Sequence, residues 1–320
     1  MSTPLVSISC LTYKHEEYIR DCLEGFLSQK TTFPFEVLIH DDASPDATPQ
    51  IIKEYAEKYP DIIKPILRET NLYSVPGHRC INLVNLERAQ GKYVAICEGD
   101  DFWCDPYKLQ KQFDLLESHQ DYTLCGCGLY YLNHLHKSYS PQGFPPEEWP
   151  LPQDIACKRI FFDNHPFHML AAFFRMDSLR TVEDNLQRDV MNAPMGDMQL
   201  FYHLATQGKV AFIRERMVTY RQHASSFSCY DNAEKAKRYM QRWYETHIRM
   251  ANNINHPEWG KEYWKQVETK INAPSNMKIS HFVRQKMTVL KRFLRGDYSN
   301  FRKYLALSPA ERVRMFCKTE

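Results

Sequence analysis

Tyr93-Val94-Ala95-Ile96-Cys97 is an unbroken apolar run that stops abruptly at Glu98-Gly99-Asp100-Asp101-Phe102-Trp103, three carboxylates gathered around one glycine. The run reads as a buried strand, and acids packed at its end repel one another unless a cation or a hydrogen-bond network stabilises them. Gly99 lets the backbone turn sharply there. Carboxylates at the carboxyl end of a parallel strand lie where open α/β sheets bind ligands, and a hard divalent ion bridging to a diphosphate is a natural occupant. A plainer role is helix capping: Asp101 or Asp105 is placed to cap a helix that Pro106 opens and that continues through Leu109, Gln112, Phe113 and Leu116. Capping accounts for Asp105 and leaves Glu98 and Asp100 unexplained.

The pattern around this motif predicts an α/β fold. Val6 to Leu11 reads as a strand, followed by Ile19, Cys22, Leu23, Phe26 and Leu27 at helical spacing. Phe35 to His40 is the next strand, closed by Asp41-Asp42-Ala43-Ser44-Pro45-Asp46, and Ile51, Ile52, Tyr55, Ala56 and Tyr59 mark a second helix. Ile62 to Leu67 reads as a third strand. Such alternation implies a mostly parallel central sheet with helices on both faces. Further along, Tyr122 to Leu132 reads as a longer strand, Pro141 to Pro152 as a surface loop, His168 to Phe174 as an apolar stretch, Asp197 to Thr206 as a helix and Val210 to Tyr220 as a strand. From about Asp231 long charged segments with Trp243, Trp259 and Trp264 read as a helical extension.

With 320 residues the chain has room for one large α/β domain and an appendage, divided at 1–229 and 230–320. The formal net charge of +2 is unevenly spread: Lys278 to Glu320 carries 11 Lys+Arg against 3 Asp+Glu, net +8, leaving −6 on the remainder. That balance argues against nucleic acid as a partner of the core. A basic tail with an apolar stripe (Ile279, Phe282, Val283, Val289, Leu290, Phe293, Leu294) either packs on its own domain or lies on an anionic membrane surface. No run is long enough to span a bilayer and no signal segment opens the chain, so the expected location is cytoplasmic, with possible contact at the inner face of the membrane. Several of the 10 cysteines, Cys10, Cys97, Cys125 and Cys127 among them, sit inside strand-like runs and read as small buried hydrophobes in a reducing compartment.

Ligands of a parallel sheet gather at strand ends, which singles out Thr12 and Tyr13, Asp41 and Asp42, and Glu98 to Asp101. Neither Gly-x-Gly-x-x-Gly nor a P-loop follows the first strand, so phosphate must be bound otherwise, and a metal held by acids is the economical solution. At these separations Val6 to Tyr13, Glu36 to Thr48, the acidic motif, Gly196-Asp197-Met198-Gln199-Leu200-Phe201 and Tyr220-Arg221-Gln222-His223-Ala224-Ser225-Ser226-Phe227-Ser228 resemble a family 2 glycosyltransferase of the GT-A fold, from Leu5 to Ser228.

The resemblance implies an inverting transferase with a Rossmann-like nucleotide-sugar domain. By it, Thr12 and Tyr13 lie at the nucleotide with Tyr13 stacked on the base, Asp42 accepts from a uracil-like imide, and Arg79 lies near the base. Glu98-Gly99-Asp100 stands where the family has Asp-x-Asp: Asp100 would ligate Mn²⁺ or Mg²⁺, Glu98 would act through the ribose or a metal-bound water, and Asp101 and Trp103 would support the donor site. Asp197 would be the general base, and His223 would reach the metal or the diphosphate. The implied partners are a nucleoside diphosphate sugar, UDP-linked in the first instance, and an acceptor hydroxyl on a glycan or lipid-linked saccharide. Aromatic residues between Tyr139 and His168 offer sugar-stacking surfaces, though aromatics also pack. Two rival readings share these residues: a metal-dependent nucleotidyltransferase, which attacks phosphorus, and a degenerate, non-catalytic binding subunit.

Overall fold

The computed structural model describes residues 3–73, 75, 81–133, 138–142, 148–163, 167–190, 196–223, 246–254 and 256–272. The chain forms two compact units, Met1–Ala224 and Ser225–Glu320.

In the first unit β1 (Val6–Thr12), α1 (Ile19–Leu27), β2 (Phe35–Asp41), α2 (Thr48–Lys58), β3 (Ile63–Leu67), α3 (Ile81–Arg88) and β4 (Tyr93–Ile96) alternate along the chain. β1, β2 and β4 are almost wholly buried on both faces, as strands of a covered parallel sheet must be. Then come β5 (Phe102–Trp103), α4 (Lys108–Ser118), β6 (Tyr122–Asn133), β7 (Ser138–Pro141), α5 (Gln153–Asp163), a short 3-10 turn (Met169–Ala171), β8 (Phe173–Arg175), α6 (Met176–Val190), α7 (Asp197–Ala205) and β9 (Lys209–Gln222).

All nine strands join one sheet in the order β3-β2-β1-β4-β8-β6-β9-β5, with β7 paired to β6. β3, β2, β1 and β4 run parallel; β8 is antiparallel to both β4 and β6; β9 runs parallel to β6; and the two-residue β5 lies antiparallel on β9. Thr12 pairs with Asp41, so β1 and β2 end flush. Beyond Ile96 the chain stays tied to β1, through Cys97 N–H to Ser9 O (3.1 Å) and Gly99 N–H to Leu11 O (2.8 Å). The acidic motif is thereby fixed at the same sheet edge as the ends of β1 and β2.

Most elements follow the amphipathic pattern closely. Helices α3, α5 and α6 do not emerge from that reading, and the segment that looks like one loop from Pro141 to Pro152 is partly pinned, since Leu151 bridges Val210 in both directions (2.8 and 3.1 Å). The helix after the acidic motif begins at Lys108 with no side-chain cap. Asp101 is committed to β9 instead. Asp105 accepts from the Tyr107 N–H (2.7 Å), because Pro106 and Tyr107 make a turn before the helix and the Asp105 oxygen is used two residues on. Cys10, Cys97, Cys125 and Cys127 are fully buried free thiols.

In the second unit the described residues form α8 (246–253) and α9 (Pro257–Asn272). Within it the His247 and Tyr263 rings stack at 4.1 Å. The basic tail lies outside the described residues. Among the described residues no helix is long and apolar enough to cross a membrane.

The turn into β4 has no spare volume. Gly91 donates to Ser7 Oγ (2.9 Å), Ser7 donates to Glu36 (2.6 Å), and a Cβ on Gly91 would lie 2.5 Å from the Ser7 backbone nitrogen. Backbone cannot rotate away as a side chain can. Gly91→Ala should therefore lower unfolding stability by about 1–3 kcal/mol, read from urea denaturation midpoints.

Candidate active site

The strand-end loops meet as their pattern predicts. Thr12 is buried and donates to Asp41 Oδ1 (3.2 Å), while the Asp42 N–H bonds Thr12 O (3.1 Å). The turns leaving β1 and β2 carry Lys14 and Ala43 at φ 60°, left-handed conformations rare for residues with a Cβ, and held only where the surroundings enforce them. Tyr13 is exposed, with the Lys14 ammonium 5.0 Å from its ring centre. Its face is open for stacking. The Asp42 carboxylate, 4% exposed, accepts the backbone N–H groups of Leu72 (2.8 Å) and Tyr73 (3.0 Å), so its visible work is to fold the loop after β3. Arg79 lies outside the described residues.

Each acid of the central motif has a different environment. Asp101 is 1% exposed, and its Oδ1 accepts the Arg221 backbone N–H at 2.7 Å. Burial, then the charges of Asp100 and Glu98, push its carboxyl well above the usual range. Asp100 also feels burial, but the hydrogen bond from His223 Nε2 (3.0 Å) and the nearness of His15 (3.8 Å) outweigh it and hold its carboxyl below the usual range. Glu98 keeps some accessible surface, yet loss of water in the cleft and the carboxylates of Asp100 and Asp197 push it up to about 8. Asp197 is the first residue of α7, behind Gly196, where the helix N-terminus favours a negative charge. That Asp197 raises Glu98 places the two carboxylates within electrostatic reach, although 98 residues separate them in sequence.

Trp103 supports this arrangement from beneath. At 2% exposed it is enclosed by its neighbours: its Nε1 donates to Leu170 O (3.2 Å), its ring meets Phe26 edge-on at 4.8 Å, and the buried Lys108 ammonium sits 4.0 Å above it. Gly99 is required by close approach, since a Cβ would lie 2.9 Å from both His15 Nδ1 and Ile19 Cδ1 and 3.0 Å from Thr12 Cβ. Asp101 and Trp103 are thus supports of the site, and Asp100, Glu98, Tyr13 and Asp197 are its accessible groups.

His15 escapes motif reading, and Arg221, though it stands in the Tyr220 to Ser228 motif, receives no role from it. His15 follows Tyr13 by two positions in the same strand-end loop, which was the available signal; its ring reaches Asp100, and its Nδ1 is buried without a hydrogen-bond partner among the described residues. Arg221, 1% exposed, lies between the rings of Tyr18 (4.8 Å) and Phe102 (5.2 Å) and pairs with Asp21 at 2.7 Å. Its chemistry depends on packing that no local pattern announces.

Among the described residues no three His, Cys, Asp or Glu side chains form a preassembled metal cage. Asp100 and His223, 3.0 Å apart, offer an oxygen and a nitrogen donor. The donor set suits a divalent ion that takes its other ligands from phosphate and water, the usual habit of Mg²⁺, and the crowding of Glu98, Asp100 and Asp197 is the kind of repulsion such a cation offsets.

This mixed sheet, with acids at the carboxyl edge of its parallel half, is a GT-A-like arrangement. The sequence signature described as Glycosyl transferase family 2 matches residues 7–182, and the chain belongs to that family. It is similar to Rv1520 of Mycobacterium tuberculosis, 38% identical over 220 residues, 68% of this chain and 59% of that protein; the chain thus spans less than two thirds of this relative. Its fold resembles S. aureus TarS 1–349 in complex with UDP-GlcNAc, with a TM-score of 0.56 at 20% identity over 96% of this chain and 77% of that one. It also resembles the mannosyltransferase PcManGT from Pyrobaculum calidifontis in complex with GDP-Man and Mn²⁺, with a TM-score of 0.51 at 14% identity over 95% and 84%.

Asp101 separates structural from chemical work in this motif. Asp101→Ala should strand the buried Arg221 N–H and cost about 1–3 kcal/mol of stability, whereas Asp101→Asn keeps the acceptor and should lose less. Paired urea melts of the two variants check the difference.

Proposed function

We propose that the protein transfers a sugar, with inversion, from a nucleoside diphosphate sugar to a hydroxyl of a glycan or lipid-linked saccharide, with Mn²⁺ or Mg²⁺ as cofactor. The observation that carries this reading is the convergence of the ends of β1, β2 and β4, where Thr12 bonds Asp41, Gly99 bonds Leu11 and His223 meets Asp100: it supports one cleft with acids and a histidine at the carboxyl edge of the sheet. A UDP-linked donor is favoured by the resemblance of the nucleotide-binding loops, and the fold neighbours hold UDP-GlcNAc and GDP-Man.

Tyr13 offers its exposed ring to the base, and the β1 and β2 turns border the nucleotide. Asp100 and His223 would hold the divalent ion, which when bound offsets negative charge on the diphosphate. Asp197 takes the proton from the acceptor hydroxyl as that oxygen bonds to the anomeric carbon and the diphosphate oxygen leaves from the opposite face. Glu98, held partly out of water, borders the same space. Trp103, Asp101 and Arg221 keep the motif rigid without touching substrate. The products are a glycosylated acceptor and a free nucleoside diphosphate, where a nucleotidyltransferase would release pyrophosphate.

Asp197→Asn should bind UDP with Mn²⁺ as the wild type does while its transfer rate falls by about 10²-fold or more. Asp100→Ala should instead lose metal-dependent UDP binding. Calorimetry and nucleotide-release assays over a panel of nucleotide sugars check both; wild-type turnover by Asp197→Asn would refute the base assignment.

A further inference from the structure

The carboxyl halves of β6 and β9 run past the end of β4. β8 begins level with Ala95 and Cys125, and β6 continues through Asn133 beside β9, which leads to His223 at Asp100. On this projecting ribbon Tyr131 and Tyr220 are register partners. Their rings meet edge to face at 6.1 Å. His168, entering the 3-10 turn, completes a triad: its ring lies 4.8 Å from Tyr220 and 6.0 Å from Tyr131, and its Nε2 is 3.4 Å from the Tyr131 hydroxyl. All three residues are half-buried, unlike the closed aromatic cluster beneath the acidic motif.

The triad faces the same side of the sheet as the candidate base. Arg221 turns its side chain to the opposite face, between Tyr18 and Phe102, so the neighbouring Tyr220 points away from α1. Phe167, next to His168, lies over Gly126 and packs at 5.1 Å on Phe201. Phe201 is four residues after Asp197 and therefore on the same stripe of α7. One chain of contacts runs from the helix of the base, through Phe201 and Phe167, to His168 and the two tyrosines.

We propose that Tyr131, His168 and Tyr220 form an acceptor subsite that receives a pyranose ring of a saccharide. The inference rests on the glycosyl-transfer reading above. The axial C–H groups of a pyranose make an apolar face that packs on an aromatic ring, while its equatorial hydroxyls need donors and acceptors around the rim. The triad supplies both kinds of contact. Burial raises the Tyr131 phenol, so it stays a hydroxyl donor, and His168 adds a ring nitrogen beside it.

Saturation-transfer NMR on the full chain, with p-nitrophenyl α- and β-pyranosides of the common hexoses as probes, tests the subsite without turnover. The wild type should bind at least one probe, with transfer strongest to the axial C–H face. Tyr131→Leu and Tyr220→Leu keep bulk but remove the flat face, and each should weaken that binding about tenfold or more. Tyr131→Phe, which keeps the ring, should retain most of it. UDP with Mn²⁺, measured by calorimetry on the same samples, reports folding and the donor site separately. Equal probe affinity in wild type and leucine variants, or no probe bound by the wild type, overturns the subsite and leaves the donor reading standing. Loss of UDP binding in the wild type overturns the donor reading while the pyranoside result still decides the subsite.

Discussion

Mutual repulsion among Glu98, Asp100, Asp101 and Asp197 is the constraint to which the rest of the structure responds. Four carboxyl groups sharing one half-dry cleft cannot all ionise without partners. Each is answered differently: Asp101 by the Arg221 N–H, Asp100 by His223 with His15 behind it, and Asp197 by the N-terminus of its own helix. Among the described residues Glu98 has no comparable partner, and its carboxyl rises to about 8. A site built on unequal compensation keeps one negative position strong and another adjustable, which suits the proposed exchange of a charged donor for a more charged product.

β9 carries much of this compensation. It closes the sheet beside β6, bonds Asp101 through Arg221, and ends at the histidine that meets Asp100. Because β5 also pairs with β9 through Phe102 and Trp103, the acidic motif is clamped between β1 on one side and β9 on the other. Packing beneath the motif is equally strict. Trp103 is wedged among Phe26, Lys108 and Leu170, and Gly99 has no room for a methyl group. Rigidity here comes largely from neighbours distant in the chain, Leu170 lying 67 positions from Trp103 and Arg221 120 from Asp101.

Much of the first half was legible because parallel strands buried on both faces are written as short apolar runs, and their helices as clear stripes. Val6 to Thr12, Phe35 to Asp41 and Tyr93 to Ile96 needed little more than that. Helix α5 was less so, since its apolar positions form no single stripe, whereas α6 carries one in Met176, Leu179, Val182 and Leu186 that the reading of the sequence passed over. Asp105 shows the limit of local rules: a proline after an acid signals a helix start, yet the turn it forms uses the carboxylate before the helix begins. The resemblance in the Gly196 and Tyr220 segments drew attention to Asp197 and His223, and their meeting with Glu98 and Asp100 required the fold.

Composition, periodicity and the abrupt acid-ended strand by themselves determined an α/β sheet, a ligand edge at its carboxyl ends and a set of polar residues confined to that edge, because those features depend on interactions within one element or between successive ones. How deeply each acid is buried, that Trp103 is packed between Phe26 and Lys108, that His15 and Arg221 lie against the acidic motif, and that Tyr131, His168 and Tyr220 gather on one ribbon were decided only by tertiary structure. Burial and the distance between charges set those outcomes, and both are properties of elements brought together from distant parts of the chain.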